Sequence, residues 1–247
     1  MTEAGKFAGL FSSRYQFVTN SRRAERTMAP MAIPAPAHTH SLSMVQGRRN
    51  RQLLMAILWI VITMLGAVGG ALAAFELRLL VGGGPSVLWE DLGYLAILAN
   101  VLIFSGAQWF LLRRFKVAAD WWVPATVTAN LVNAIVVIPT VLNAFGPSFD
   151  AALVMSTAIL SGAAALAASG LVVGAAQAWI LRSSARHVAW LWIAATVIGG
   201  TLAGSVTTAL SAQLLSLLPI ATISLVAAAG ALLTAACQAP VLVRIIR

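Results

Sequence analysis

The sequence predicts an all-α integral membrane protein with six transmembrane helices that come from duplicated helical hairpins. The chain is 60% hydrophobic and 9% charged, whereas soluble domains are about 45–50% apolar and about 25% charged. Six apolar runs are each close to the roughly 20 residues that a helix needs to cross a bilayer. A segment that combines glutamine, arginine and tryptophan occurs twice, each time between two of these runs.

Residues 1–51 form a polar, basic tail, and we assign residues 52–247 to the transmembrane domain. Apolar residues of the tail recur on one face of a helix, at Phe7, Leu10, Phe11, Tyr15 and Val18. This pattern is typical of a basic interfacial helix on anionic lipid, or of a docking helix for a partner. The alternatives are a disordered extension or a start codon upstream of the true one. Residues 29–40 are proline-rich and favour an extended linker.

The apolar runs predict the helices in chain order as residues 53–75, 93–112, 122–145, 153–181, 188–210 and 219–243. The fourth run is long enough to require tilt or a projecting end. Pairs of glycines four residues apart occur within the runs, at Gly66/Gly70, Gly170/Gly174 and Gly200/Gly204. Such pairs let helix backbones approach closely, so they predict close packing within the chain or, alternatively, between copies.

The connections between the runs alternate in charge. Basic residues lie in the tail, in the turns 113–121 and 182–187 and at the C-terminus, and of the 16 lysines and arginines only Arg78 falls in the other set. The positive-inside rule therefore predicts that both termini are cytoplasmic (N-in, C-in) in a bacterial inner membrane. The same distribution accounts for the net charge of +9 and argues against nucleic-acid binding.

The repeated segment has an offset of 69 residues (177 − 108), which aligns the following pairs: Gln108/Gln177, Leu112/Leu181, Arg113/Arg182, Trp121/Trp190 and Ala125/Ala194. Each copy follows one apolar run and leads into another, as expected of a helical hairpin with a basic turn. Gln238 in the sixth run precedes Arg244 by six residues (244 − 238), which suggests a third copy. Its partner helix is then the first run, and three hairpins give a six-helix bundle with approximate threefold symmetry.

Gln108 and Gln177 lie about a turn and a half before the basic turns, inside the bilayer. A glutamine in hydrocarbon needs a hydrogen-bond partner, because an unsatisfied amide there costs several kcal/mol. One interpretation is an interhelical hydrogen bond that sets helix packing. The other is a polar ring that binds a lipid headgroup or a small solute.

The basic turns place cationic side chains beside tryptophans at the entry to the next helix: Arg113, Arg114, Lys116, Arg182 and Arg186, with Trp121, Trp122, Trp190 and Trp192. This combination is typical of ordinary topology and interfacial anchoring. The alternative is a binding surface for anionic lipid headgroups between the helices.

A polar stripe follows the third run at i, i+4, i+7 and i+14, through Thr126, Asn130, Asn133 and Thr140. Such a stripe either lines a solvated path or satisfies neighbouring helices. No ionisable residue lies securely in the middle of a run, although such residues mark proton relays, ion pathways and catalytic sites in membranes. The sequence therefore predicts no catalytic residue, no metal and no cofactor. The alternative of an enzyme would require a cytoplasmic site around Arg186 and His187.

The pattern Q-W-x-x-L-R at Gln108–Arg113, followed by Trp121 and Trp122, resembles uncharacterised polytopic proteins of cyanobacteria and Chloroflexota, in which such hairpins recur. The resemblance covers about residues 53–247, and the second copy departs from it with Ala178 in place of tryptophan. It implies an architecture but no mechanism.

These observations favour a non-catalytic protein that is a structural or accessory subunit of a membrane assembly, or a lipid-binding scaffold. Its expected partners are anionic lipids, other membrane proteins or further copies of the chain. The alternative is an uncoupled channel or carrier for a small neutral or hydrophobic solute.

Overall fold

The computed structural model describes residues 38–80, 88–117, 119–145, 151–214 and 219–246. The described residues are helical and contain no strand, and the helices are α1 (His38–Leu80), α2 (Leu88–Arg114), α3 (Trp122–Val132), α4 (Ile138–Phe145), α5 (Ala151–Ala185), α6 (Ala189–Gln213) and α7 (Pro219–Ile245). A π-helical segment, Asn133–Val137, joins α3 to α4 without a break. The amphipathic segment predicted in the tail lies outside the described residues.

Among the described residues, six spans are long and apolar enough to cross a membrane, which confirms the predicted all-α fold with six transmembrane helices: Gln46–Leu77, Leu95–Arg114, Trp122–Phe145, Val154–Ala185, Ala189–Gln213 and Pro219–Ile245. The protein is therefore a multi-pass integral membrane protein. Helix α1 begins at His38 rather than near residue 53, and α1 and α2 both extend into the expected connection at 76–92. A helix continues past the apolar run because its backbone hydrogen bonds do not require apolar side chains.

The spans form a closed ring within the unit Leu42–Arg247. Helix α2 packs on α3, α3 on α5, α5 on α6, and α6 on α7. Helix α1 completes the ring, since Thr63 is hydrogen-bonded to Gln108 of α2 and Trp59 to Gln238 of α7. Each span therefore runs antiparallel to its two neighbours.

The core lies at the end of the bundle that carries the basic turns, which we call the basic end. Its fully buried side chains include Trp59, Trp122, Trp192, Leu112, Leu181 and Leu242. Large apolar side chains elsewhere face outward, for example Leu65, with 67% of its surface exposed, and Leu160, with 61%. Lipid solvates such side chains as well as a protein core does, so the outer surface of the bundle is apolar.

The turn between α2 and α3 is a Schellman motif. The Val117 N–H donates to the Leu112 carbonyl and the Lys116 N–H donates to the Arg113 carbonyl, both at 3.0 Å. Lys116 has a φ of 59°, the left-handed conformation that glycine usually supplies at this position. This tight turn keeps α3 directly beside α2.

Glycines set the closest approach between α5 and α6. A Cβ on Gly170 would lie 2.7 Å from the carbonyl oxygen of Thr196, and one on Gly204 would lie 2.9 Å from the Cα of Ala163. Both pairs of glycines in these helices therefore pack against the neighbouring helix of the same chain, as expected of small-residue faces in membranes.

The π-helical segment precedes Pro139, which lies in the interior of the third span. Proline has no N–H, and its ring collides with the carbonyl four residues earlier in a regular α-helix. Local π-helical widening is a common way to accommodate such a break. The segment begins at Asn133, one of the residues of the predicted polar stripe.

Candidate functional site

Gln108 joins three helices at the basic end. Its Nε2 donates to Thr63 Oγ1 of α1 at 3.2 Å, and its Oε1 accepts from Trp122 Nε1 of α3 at 3.3 Å. All three side chains are at least 99% buried. The amide is thus satisfied on both of its polar atoms by neighbouring helices.

Gln177 and Gln238 repeat this arrangement. Gln177 donates to Thr126 at 3.1 Å and accepts from Trp192 at 3.0 Å. Gln238 donates to Thr196 at 3.0 Å and accepts from Trp59 at 3.3 Å. The three triads link all six spans in a cycle, which we call the Gln–Trp–Thr ring: Gln108, Gln177, Gln238, Trp59, Trp122, Trp192, Thr63, Thr126 and Thr196.

The three tryptophans of the ring contact one another where the helices converge. The centroids of the indole rings are 6.1 Å apart for Trp59 and Trp122, 5.5 Å for Trp59 and Trp192, and 5.9 Å for Trp122 and Trp192. The corresponding angles between the indole planes are 82°, 74° and 77°. Aromatic pairs favour such edge-to-face geometry. Since each indole is also fully buried, the cluster closes the axis of the bundle at the basic end.

Sequence reasoning placed Gln108, Gln177 and Thr126 among the candidates and pointed to Gln238 as a third copy. It treated Trp122 and Trp192 as interfacial anchors, whereas both are fully buried, and it did not single out Trp59, Thr63 and Thr196. The missed signal is a W-x-x-x-T motif at Trp59–Thr63, Trp122–Thr126 and Trp192–Thr196. A separation of four residues puts both side chains on one face of a helix. A matching Q-x-x-x-L motif follows each glutamine, ending at Leu112, Leu181 and Leu242.

Trp121 and Trp190, which the repeat offset aligned, do not belong to the ring. They are 67% and 64% exposed, respectively. The glutamine and its tryptophan are 14 residues apart in the first hairpin and 15 apart in the second. The second turn is therefore one residue longer, and an alignment without gaps pairs the wrong tryptophans.

The basic turns lie together at one end of the bundle because each follows a glutamine of the ring. The side chains of Arg113, Arg114, Lys116, Arg182 and Arg186 are all exposed. The Arg113 guanidinium lies over Trp109 at 5.0 Å, and that of Arg182 over Trp179 at 5.1 Å. The tryptophan stands four residues before its arginine in one turn and three in the other, and both spacings bring helix side chains together.

A groove of about 630 Å³ brings part of the predicted basic surface together. It is lined by Asp120, Trp121, Trp179, Ile180, Arg182, Ser183 and Arg186. The groove thus combines two guanidinium groups with two exposed indoles at the level where α5 ends and α3 begins. Arg113, Arg114, Lys116 and Trp190 do not line it.

The side chains of the polar stripe in the third span lie in different environments. Asn130 Nδ2 donates to the Thr126 carbonyl at 2.8 Å, and Asn133 Nδ2 donates to the Ser169 carbonyl of α5 at 3.3 Å. Thr140 is exposed, and its hydroxyl donates to the Val136 carbonyl at 2.7 Å. The stripe therefore does not form one continuous lining.

An axial cavity of about 180 Å³, open along part of its boundary, lies against the ring on the side away from the basic turns. Its lining comes from five helices: Phe104, Gln108, Asn130, Leu166, Ser169, Gly170, Val173, Gln177, Thr196, Gly200, Ala203, Thr234 and Gln238. All three glutamines form part of its wall. The described residues contain no group of three or more His, Cys, Asp and Glu side chains placed to hold a metal ion.

Comparison with protein-family models, curated proteins and solved structures finds no match for this chain.

Proposed function

We propose that the protein is a non-catalytic scaffold or accessory subunit of a membrane assembly, and that its basic end binds anionic lipid. The Gln–Trp–Thr ring carries this proposal. Each of the three glutamines of the ring bonds through its amide to two neighbouring helices. The buried polar side chains among the described residues are neutral, whereas catalysis and ion transport in membranes use ionisable groups.

The groove beside Arg182 and Arg186 supports the lipid-binding part of the proposal. Arginine pairs well with phosphate because its planar donors match the phosphate oxygens. Trp121 and Trp179, which line the same groove, have the amphipathic character that suits the boundary between headgroups and acyl chains. Each basic residue near an anionic bilayer surface contributes about 1 kcal/mol.

The test is gentle extraction of the protein in native lipid particles, with mass spectrometry of the lipids and proteins that co-purify. We expect anionic lipids to be enriched over the bulk membrane and a partner protein to be present in fixed ratio. The double variant Arg182→Gln/Arg186→Gln should weaken anionic-lipid binding by about tenfold or more.

Its control is Arg113→Gln/Arg114→Gln, which removes the same charge from residues outside the groove. Equal lipid retention in both double variants, or no enrichment in the unchanged protein, would refute lipid recognition at the groove. The absence of any co-purifying protein would count against the accessory role.

We further propose that the basic end faces the bacterial cytoplasm, with both termini inside. Cys237 is the single cysteine, so Cys237→Ser gives a cysteine-free background. Cysteines introduced at Lys116 and Arg186 should then be labelled from the cytoplasmic side, and one introduced at Gln213 from the other side. Labelling of the first two positions from opposite sides would overturn this orientation.

The W-x-x-x-T and Q-x-x-x-L motifs also support the proposal that three hairpins descend from one. In the third hairpin the glutamine helix is α7 and the tryptophan helix is α1, so the unit is divided between the two ends of the chain. The hydrogen bond between Trp59 and Gln238 joins residues 179 positions apart.

The second candidate function is an uncoupled channel or carrier for a small neutral or hydrophobic solute. The axial cavity favours it, but conduction requires the three tryptophans at the basic end to separate. Uptake into proteoliposomes distinguishes the two functions. Substrate-specific flux that is lost in Asn133→Leu would favour the carrier and contradict the scaffold.

A further inference from the structure

We propose that the axial cavity binds one small uncharged molecule that combines an apolar ring with a hydroxyl or carbonyl group. This inference goes beyond the scaffold role, because the cavity and the basic groove have no residue in common. It requires neither lipid binding nor transport.

The size of the cavity fits a single substituted ring. Its volume is about 180 Å³, and an apolar cavity of about 150 Å³ in another protein holds benzene. Apolar contacts come from Phe104, Leu166 and Val173, one from α2 and two from α5. These side chains supply dispersion contacts to a ring but no hydrogen bonds.

The three glutamines of the Gln–Trp–Thr ring line the cavity, and each has hydrogen-bonding groups that the ring does not use. A glutamine amide has two N–H donors and an oxygen with two lone pairs. Within the ring, each glutamine donates once to a threonine and accepts once from a tryptophan. Each therefore has one further donor and one further acceptor to offer a ligand.

Two buried polar atoms near the cavity have no hydrogen-bond partner among the described residues. They are Ser169 Oγ and Asn133 Oδ1. Ser169 lines the cavity, and Asn133, with only 2% of its surface exposed, is held to the Ser169 carbonyl. A buried polar group without a partner costs free energy, and a ligand hydroxyl or carbonyl beside Ser169 would remove that cost for the serine hydroxyl.

The absence of charged side chains in the cavity wall disfavours the binding of ions. None of its lining side chains is ionisable, so a charged solute would lose its hydration without gaining a counter-charge. The wall thus favours a neutral molecule with both an apolar part and a polar group. A purely apolar solute would leave Ser169 Oγ unsatisfied.

The test compares 4-fluorophenol with fluorobenzene, two probes of similar size that differ in one hydroxyl. Binding to the full chain in lipid nanodiscs is measured by fluorine NMR, and empty nanodiscs give the partitioning background. We expect saturable binding of 4-fluorophenol with an affinity about fivefold or more above that of fluorobenzene, the effect of one added hydrogen bond.

Two variants tie this binding to the cavity. Ser169→Ala should lower the affinity for 4-fluorophenol about fivefold and leave fluorobenzene unchanged, and Ala203→Leu should exclude both probes by filling the cavity. Ser183→Ala is the matched control, because that serine lies in the basic groove and bonds to the Ile180 carbonyl.

Tryptophan fluorescence and thermal unfolding establish that each variant is folded. Non-saturable binding, equal affinity for the two probes, or equal effects of Ser169→Ala and Ser183→Ala would overturn the proposal. Non-saturable binding would mean that neither probe has a site in the cavity, and either of the other two results would mean that Ser169 does not recognise the hydroxyl. The lipid-binding result at the groove is unaffected by either outcome, so the two proposals fail separately.

Discussion

Trp121 and Trp122 are adjacent in sequence but lie in opposite environments. Trp121 is 67% exposed at the rim of the basic groove, whereas Trp122 is fully buried and donates to Gln108. Trp121 immediately precedes α3 and Trp122 is its first residue. Successive residues of a helix point about 100° apart, so one indole faces the axis and the other the lipid boundary. The contribution of each indole to stability therefore follows from its direction.

Trp122→Phe should lower the free energy of unfolding by about 2 kcal/mol. The substitution keeps an aromatic ring but removes the donor to Gln108 Oε1, leaving a buried acceptor unpaired, and it also reduces core volume. Trp121→Phe is the matched control and should change stability by less than about 0.5 kcal/mol, as expected of an exposed residue. Unfolding by dodecyl sulfate in mixed micelles measures both, and equal losses would contradict the assignment.

Lys116→Gly should raise the free energy of unfolding by about 0.5–1 kcal/mol. Lys116 occupies the left-handed position of the Schellman turn with a φ of 59°, where a Cβ is strained and glycine is not. The gain is partly offset because glycine makes the unfolded chain more flexible.

Lys116→Ala removes the same charge but keeps the Cβ, so it should leave stability nearly unchanged. If alanine stabilised the protein as much as glycine, repulsion from Arg113 and Arg114 would be the cause, and the backbone argument would be wrong. The same micellar unfolding measurement separates these outcomes.

At the scale of the helices, close packing depends on which glycines face a neighbour. Gly204 of α6 faces α5, where a Cβ would meet the carbonyl oxygen of Gly162 and lie 2.9 Å from Ala163 Cα. A Cβ on Gly106 of α2 would meet nothing within 4 Å. These two helical glycines differ in their surroundings but not in their local conformation.

Gly204→Ala should therefore destabilise the bundle by about 1–3 kcal/mol through overpacking. Gly106→Ala should instead stabilise it by roughly 0.5–1 kcal/mol, because alanine restricts the unfolded backbone and favours the helix. Thermal unfolding of both variants in the same detergent is the measurement. A loss of stability in both would mean that the helices tolerate no added methyl, whatever its direction.

The number, order and approximate positions of the spans were predictable because each needs a long apolar run to remain in lipid. Their ends were not, since a helix that leaves the membrane is no longer restricted to apolar residues. Helix α1 illustrates this, as it begins at His38 within the predicted tail. The π-helical segment was also absent from the prediction, although Pro139 marks a position where regular α-helix is disfavoured.

At the scale of the whole molecule, the sequence predicted that Gln108 and Gln177 need partners but not which residues supply them. The need of a buried amide for hydrogen bonds follows from the glutamine alone. Which tryptophan meets it depends on the length of the turn, since Trp122 lies 14 residues after Gln108 and Trp192 lies 15 residues after Gln177. Trp59 lies 179 positions from its partner Gln238. The sixth run was expected to pair with the first because Gln238 precedes Arg244 much as the other two glutamines precede their arginines, but Trp59 was not identified as the residue that makes the contact.

If the ring of helices is closed, replacing Gln238 should destabilise the protein, because this residue connects the last span to the first. Gln238→Leu removes the acceptor for Trp59 and the donor to Thr196, and leaves a buried indole N–H unpaired. Since an interhelical hydrogen bond in a membrane contributes about 0.6–1.7 kcal/mol, the loss should be about 2 kcal/mol.

Gln108→Leu and Gln177→Leu should cost the same to within about 1 kcal/mol, because each breaks an equivalent pair of bonds. Gln213→Leu, at an exposed position near the end of α6, is the control and should be nearly neutral. Micellar unfolding measures all four variants. In an open row of helices α1 and α7 are separate, so a small effect confined to Gln238→Leu would show that the ring is not closed.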